Sequence, residues 1–283
     1  MEIVQVPDRF RERIPFNYPA HQSGLLIEEY FYEYALSNKE NIETDLCYLP
    51  IFWTAYHIRH NWGNSYQEVQ DFCDSLPKDK TYFTIVQYDD GIMVSMPNLI
   101  TFSCCGNTSN VLMDIPIPLL CDPHGAKREN DSYNASFIGR IGSRVRPKMF
   151  KDLINVPGFY LKDSGDDVNL FLEYLQKSTF SLCPRGYGIS SFRLYETLEV
   201  GSIPIYIVED ELDHWLPFSD KVNWNKLALL LKESDIERIP EIIDSITRNE
   251  IEERRLYIKE TYPQFFTMNG CSSSIIEKIK LFR

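Results

Sequence analysis

The second half of the chain shows short apolar runs separated by stretches of helical spacing. Ala135 to Gly139, Phe159 to Lys162, Phe180 to Cys183 and Ile203 to Val208 read as strands, and Arg146 to Asn155, Asp166 to Ser178 and Ser190 to Val200 as the helices between them. Strands joined by helices call for crossover connections, so this half is predicted to be a parallel sheet with right-handed crossovers. Such sheets take ligands at the carboxyl ends of their strands. The first half alternates less regularly. Ser23 is placed to N-cap a helix running to about Ser37, and Ser65-Tyr-Gln-Glu68 has capping-box spacing ahead of Val69, Phe72 and Cys73. Strand-like runs occupy Asp45 to Trp53, Tyr82 to Gln87 and Leu99 to Ser103. The stretch from Asp235 to Arg283 is helical in pattern, interrupted by Pro240, Pro263 and Gly270.

Between Cys121 and Ser132 the chain turns polar, which reads as a linker. The expected organisation is an α/β fold with an N-terminal lobe over residues 1–122, a second lobe over 123–260, and a terminal helix over 261–283 able to pack back on the first lobe.

A formal charge of −12 argues against a general nucleic-acid or anionic-membrane binder, so any anion site must be local. No apolar run has the length of a signal peptide or a membrane span, so a soluble cytoplasmic chain is expected. The seven cysteines lack paired CxxC spacing and read as reduced, mostly buried thiols. The sequons at Asn107, Asn130 and Asn134 are read as unmodified.

The most informative segment runs from Ser178 to Asp210: a strand, a glycine-containing loop, a short helix and a second strand. Pro184 ends the first strand, Gly186 and Gly188 let backbone approach a ligand, and Ser190 or Ser191 is placed to cap the helix that Gly201 closes. The start of such a helix presents unpaired N–H groups and a positive dipole end, which suit a phosphate. Arg185 and Arg193 add charged donors, and Glu196, one turn in, is positioned to accept from two ribose hydroxyls. An ordinary βαβ turn with surface arginines is the plain alternative. A second basic cluster, Arg140, Arg144, Arg146, Lys148 and Lys151, falls at another strand-to-helix junction; Lys148 and Lys151 read as a solvated face, Arg140 and Arg146 as donor contacts.

Taken with Phe137-IGRIGSRVRP, Asp114-IPIP, Tyr82-FTIVQYDDG and Leu216-PFSDKVNW, the run Ser178, Phe180, Leu182, Pro184, Arg185, Gly186, Ser191, Arg193, Glu196, Gly201, Pro204 resembles the exostosin family, glycosyltransferase family 47. The resemblance covers Leu46 to Phe266 with its motifs in order. Tyr88 and Asp90 depart from it, standing where the family pattern carries histidine and tryptophan.

The resemblance implies a GT-B architecture of two Rossmann-like lobes facing a cleft, with a compact viral or microbial type of chain. It implies an inverting transfer of a sugar from a UDP-sugar to a glycan hydroxyl; a neutral sugar, xylose or galactose, is favoured. Donor-binding residues are then Arg140, Arg146, Arg185, Gly186, Tyr187, Gly188, Ser190, Ser191, Arg193 and Glu196. Asp89, then Asp90, is the expected catalytic base, with His57, His60 and His124 as other candidates. No cofactor or metal is expected beyond the donor substrate, because arginines and a helix dipole already neutralise a leaving diphosphate. The partners are a nucleotide sugar and a glycan acceptor, with no nucleic acid and no membrane segment. A dehydrogenase is disfavoured by the lack of G-x-G-x-x-G after an early strand. A catalytically inactive sugar- or nucleotide-binding scaffold is the other reading.

Overall fold

The computed structural model describes residues 1–17, 22–142, 144–165 and 167–282. The chain divides into two compact units, Met1–Asp122 with Gln264–Arg283, and Pro123–Pro263. Each is built on a five-stranded sheet.

The first unit contains β1 (Glu2–Ile3), α1 (Ile27–Asn38), β2 (Cys47–Tyr48), α2 (Trp53–Arg59), α3 (Gln67–Ser75), β3 (Tyr82–Val86), β4 (Met96–Ser103) and β5 (Val111–Pro116). The strands lie in sequence order and every neighbouring pair is parallel. All five residues of β3 are buried, as a strand covered on both faces requires. The core beside it packs Phe10, Tyr56, Trp53 and Cys73 against Tyr82 and Leu99.

The second unit runs β6 (Tyr133–Ile138), α4 (Arg146–Leu153), β7 (Phe159–Lys162), α5 (Val168–Gln176), β8 (Ser178–Pro184), α6 (Phe192–Val200), β9 (Ile203–Val208), α7 (Trp224–Leu227), β10 (Leu229–Lys232), α8 (Ile239–Asp244) and α9 (Arg248–Phe265). Here the order is β10-β9-β8-β6-β7, again parallel throughout. Counted within the unit this is the doubly wound order 2-1-3-4-5, and the direction of winding reverses between β6 and β8. β8 and β9 are buried along their whole length. Gly201, at φ 90°, closes α6 in the left-handed conformation. α10 (Met268–Ile279) belongs to the first unit, with Cys271, Ile275 and Ile279 fully buried.

Several local expectations are corrected. Ser23 does not cap α1: its amide and hydroxyl both bond the Asp122 carboxylate, and the helix starts at Ile27 with Glu29 accepting from the Leu26 amide. Ser65 makes no cap bond to α3, which begins after Tyr66. The run from Asp45 pairs only at Cys47–Tyr48, and Trp53 already opens α2. Neither Pro263 nor Gly270 breaks a helix. α9 continues to Phe265, and the Gly270 amide is bonded by the Thr267 hydroxyl in the first turn of α10. Asp166, the expected start of a helix, lies outside the described residues; Asp167 caps α5 by accepting from the Leu170 amide at 3.0 Å.

Candidate functional site

Two loops leave the carboxyl ends of adjacent strands at the reversal point of the second sheet. One carries the chain from β6 to α4 and the other from β8 to α6. Every donor-binding residue expected from the sequence lies in these loops or the first two turns after them, where an open α/β sheet forms its ligand crevice.

The loops are tied together by arginines. Arg146, at the start of α4, donates from Nε to the Arg185 carbonyl and from Nη1 to the Arg140 carbonyl, both at 3.1 Å. Arg193, in the first turn of α6, donates to the Ile138 carbonyl at the end of β6. Its guanidinium is clamped between the rings of Phe137 (4.6 Å) and Phe171 (4.5 Å). Gly139 makes room for it: a Cβ there would stand 2.7 Å from Arg193 Nη2.

Burial, and then the neighbouring Arg193 charge, push the Arg146 guanidinium down to about 10, and burial lowers Arg193 as well. Among the described residues neither forms a salt bridge, and both donate to carbonyl oxygens. Two like charges are thus held together beside a helix N-terminus. Ser191 occupies the cap position of α6 without a side-chain bond to the first amides. Arg144, exposed and at φ 66°, lies 5.9 Å from the ring of Tyr187, which is itself 62% exposed.

Other residues expected at the site have partners within the unit. Arg185 is buried and turned into its own loop, donating to the carbonyls of Gly186, Tyr187 and Gly188 and pairing with Glu209 at 3.3 Å. It shapes the loop rather than reaching out of it. Ser190 is buried and faces the Tyr195 hydroxyl instead of capping. Glu196 is buried, and its Oε1 accepts from His124 Nε2 at 2.8 Å. A partner for Glu196 was not legible because His124 lies in the polar stretch read as a linker. That stretch is strapped along α6: the Gly125 amide bonds Glu199 and the Arg128 amide bonds the Val200 carbonyl. Lys148 is compensated by Asp152 and Glu237, in keeping with a solvated face.

In the first unit, Asp89 and Asp90 open a turn just after β3, closed by the Gly91 amide on the Tyr88 carbonyl at 3.0 Å. The half-buried Asp89 accepts from the Cys105 thiol at 2.9 Å, and its carbonyl accepts from the Asn107 side chain at 2.6 Å. His57 is fully buried against Trp53 and Tyr88, donates to the Ile92 carbonyl at 2.9 Å, and is pushed down to about 4 by burial. Through the Ile92 carbonyl it holds the chain just beyond the turn. His60 stacks on Tyr56 at 4.1 Å and bonds the Tyr56 carbonyl. A buried carboxylate that sequence reading missed, Glu28, accepts from the Gln87 amide and from the amide and hydroxyl of Thr54. It thereby joins α1, the first turn of α2 and the end of β3. Burial pushes Glu28 up to about 8 against the pull of those donors.

All seven cysteines are free thiols, six of them buried. No helix among the described residues is long and apolar enough to cross a membrane.

Residues 87–246, more than half of the chain, match the Exostosin GT47 domain family. The Exostosin-1 homolog of Caenorhabditis elegans is 39% identical over 94 residues, 33% of this chain and 24% of that protein. The probable glucuronosyltransferase GUT1 of Oryza sativa subsp. japonica is 30% identical over 130 residues, 46% of this chain and 30% of the other. The probable beta-1,4-xylosyltransferase IRX10 of Arabidopsis thaliana is 32% identical over 108 residues, 38% and 25% respectively. The matched stretches thus span 24 to 30% of those relatives' length. Among solved structures, TarM superposes with a TM-score of 0.44 at 10% identity, over 89% of this chain and 58% of TarM.

Proposed function

Because this chain belongs to the Exostosin GT47 domain family, we propose that it is a glycosyltransferase that moves a sugar from a UDP-sugar to a glycan hydroxyl with inversion. The donor is held by the second unit and the acceptor by the first. The observation that carries the reading is the Arg146 and Arg193 pair. Two neighbouring guanidinium groups bonded to carbonyls and flanking a helix start at a sheet's reversal point form a receptor for a diphosphate.

In this reading the α6 amides and the two arginines take the charge that develops on the leaving diphosphate. Arg185 keeps the loop carbonyls turned away from that charge by bonding three of them itself. Tyr187 offers its ring face to the nucleobase, and Arg140 stands at the rim. Glu196 receives the ribose within the setting that His124 holds. The acceptor oxygen attacks the anomeric carbon as the bond to the diphosphate breaks, the diphosphate keeping the electron pair. Asp89 takes the acceptor proton, with Asp90 the second choice. Positive charge from arginine and helix replaces a divalent cation, so turnover persists in EDTA. The names of two relatives include glucuronosyl and xylosyl transfer; a neutral sugar, xylose or galactose, is preferred here.

The test is a panel of UDP- and GDP-sugars in EDTA, following nucleotide release and transfer, with Arg146→Gln as control. Release from one donor that the substitution abolishes supports the transferase. Loss of all turnover in EDTA with recovery on manganese overturns metal independence. Nucleotide binding without any release leaves an inactive scaffold of the same family as the better account.

A further inference from the structure

α9 carries one exposed leucine between two grooves of opposite charge. Leu256 is 57% exposed and lines both. The groove on one side, of about 380 Å³, is lined by three carboxylates, Glu250, Glu253 and Glu260, and two cations, Lys226 and Arg254. The groove on the other side, of about 640 Å³, is lined by four cations, Lys127, Arg128, Arg255 and Lys259, and two carboxylates, Glu199 and Glu252. The helical spacing produces this separation: 250, 253, 257 and 260 share one face, and 252, 255 and 259 the other.

Internal pairing takes up part of this charge. Arg255 is spent on Asp131 and Glu252, and Arg128 on Asp131. Lys226 lies over the ring of Tyr257, and Arg254 donates to the Asn225 carbonyl. Glu253 on one flank and Lys127 and Lys259 on the other are exposed and form no ion pair among the described residues.

We propose that this face of α9 is a contact between two copies of the chain. A two-fold axis running along α9 places each acidic flank on the partner's basic flank, with the two Leu256 side chains in apposition and the helices parallel. An axis across the helix would set like charges together, so the charge pattern selects the first arrangement. Glu253 then lies on the flank apposed to that of the partner's Lys259 and the partner's Lys127, twice per dimer, with Glu253 and the partner's Lys259 about 9 Å apart along the axis. This assembly stands independently of the glycosyltransferase reading.

Sedimentation velocity of the whole chain across micromolar concentrations tests it. The expected result is a monomer–dimer equilibrium that weakens as salt rises. Leu256→Asp abolishes the dimer, and Glu253→Lys or Lys259→Glu alone weakens it about tenfold. Because both flanks belong to one chain, the double variant Glu253→Lys with Lys259→Glu restores complementarity and recovers most of the dimer. Circular dichroism should show all of these variants folded, since the positions are exposed. A chain that stays monomeric up to about 200 µM, some twentyfold above an ordinary ~10 µM encounter, overturns the proposal. So does a dimer indifferent to Leu256→Asp, or a double variant weaker than either single one.

Discussion

The two loop systems that the family motifs select are built on opposite principles. In the second unit, Arg146 and Arg193 are placed side by side and bonded to carbonyl oxygens, so charge of one sign accumulates. In the first unit, the Asp89 turn is fastened at many points: by Cys105, by Asn107 and by His57 through the Ile92 carbonyl. One region gathers like charge; the other is cross-braced. The difference teaches that charged residues matching a motif separate into two kinds once their partners are known. Arg185 shows this best, since it matches the motif as well as Arg193 does and yet closes its own loop.

The largest effect that could break this contrast is at Asp89. Asp89→Asn keeps the shape of the turn, and turnover is expected to fall by about 10²- to 10⁴-fold with UDP affinity unchanged. Unaltered kcat would reduce the turn to scaffolding. Next comes Arg146→Gln, for which calorimetry should show UDP affinity lowered by about 10- to 150-fold, the worth of one charge-assisted bond of about 1.5–3 kcal/mol. An unchanged affinity would mean that the stored charge serves something else.

The third test concerns stability alone. His57 titrates near 4 in the folded chain, below its ordinary 6.5, so the unfolded chain binds the proton first. Its contribution is complete above pH 6.5 and drains as pH falls towards 4, by about 3 kcal/mol in all. Urea unfolding between pH 7 and 4 reads this, and His57→Phe should flatten the acid limb while lowering the plateau. The smallest effect is expected from Gly139→Ala, which removes no charge. The new methyl would displace the Arg193 guanidinium from Ile138, costing severalfold in UDP affinity, roughly 1 kcal/mol. Wild-type affinity in that variant would show that the placement of Arg193 is loose.

The second unit was the more legible of the two because its strands are short apolar runs, β8 and β9 buried along their whole length, punctuated by helices of regular spacing. β7 and β9 have the ends that the pattern predicts. β1, two residues long, and β5, half exposed, offer no such signal. Ser23 had the residue type for a cap, but the Asp122 carboxylate, about a hundred positions away in sequence, holds it instead. The same limit applies to the site. Glycines, serines and arginines of the loop could be named from local sequence, whereas the partners that decide their roles could not. His124 for Glu196, Glu209 for Arg185 and Ile138 for Arg193 are set by the order of strands in the sheet. The histidine candidates separate in the same way, since nothing local distinguishes the buried His57 from the stacked His60.

The division of the chain also sets a timetable for its synthesis. The second unit is one continuous stretch, Pro123–Pro263, and all of its strands are synthesised before α10. The first unit begins earlier and finishes later. Cys271, Ile275 and Ile279 fill its core from the last helix, and the Thr44 hydroxyl waits for the Ile279 carbonyl. Vectorial folding therefore completes the middle of the chain first, leaving the amino-terminal sheet to mature only once α10 has been made. With every strand pair among the described residues parallel, none of these pairs offers a hairpin as a quick local nucleus in the interval.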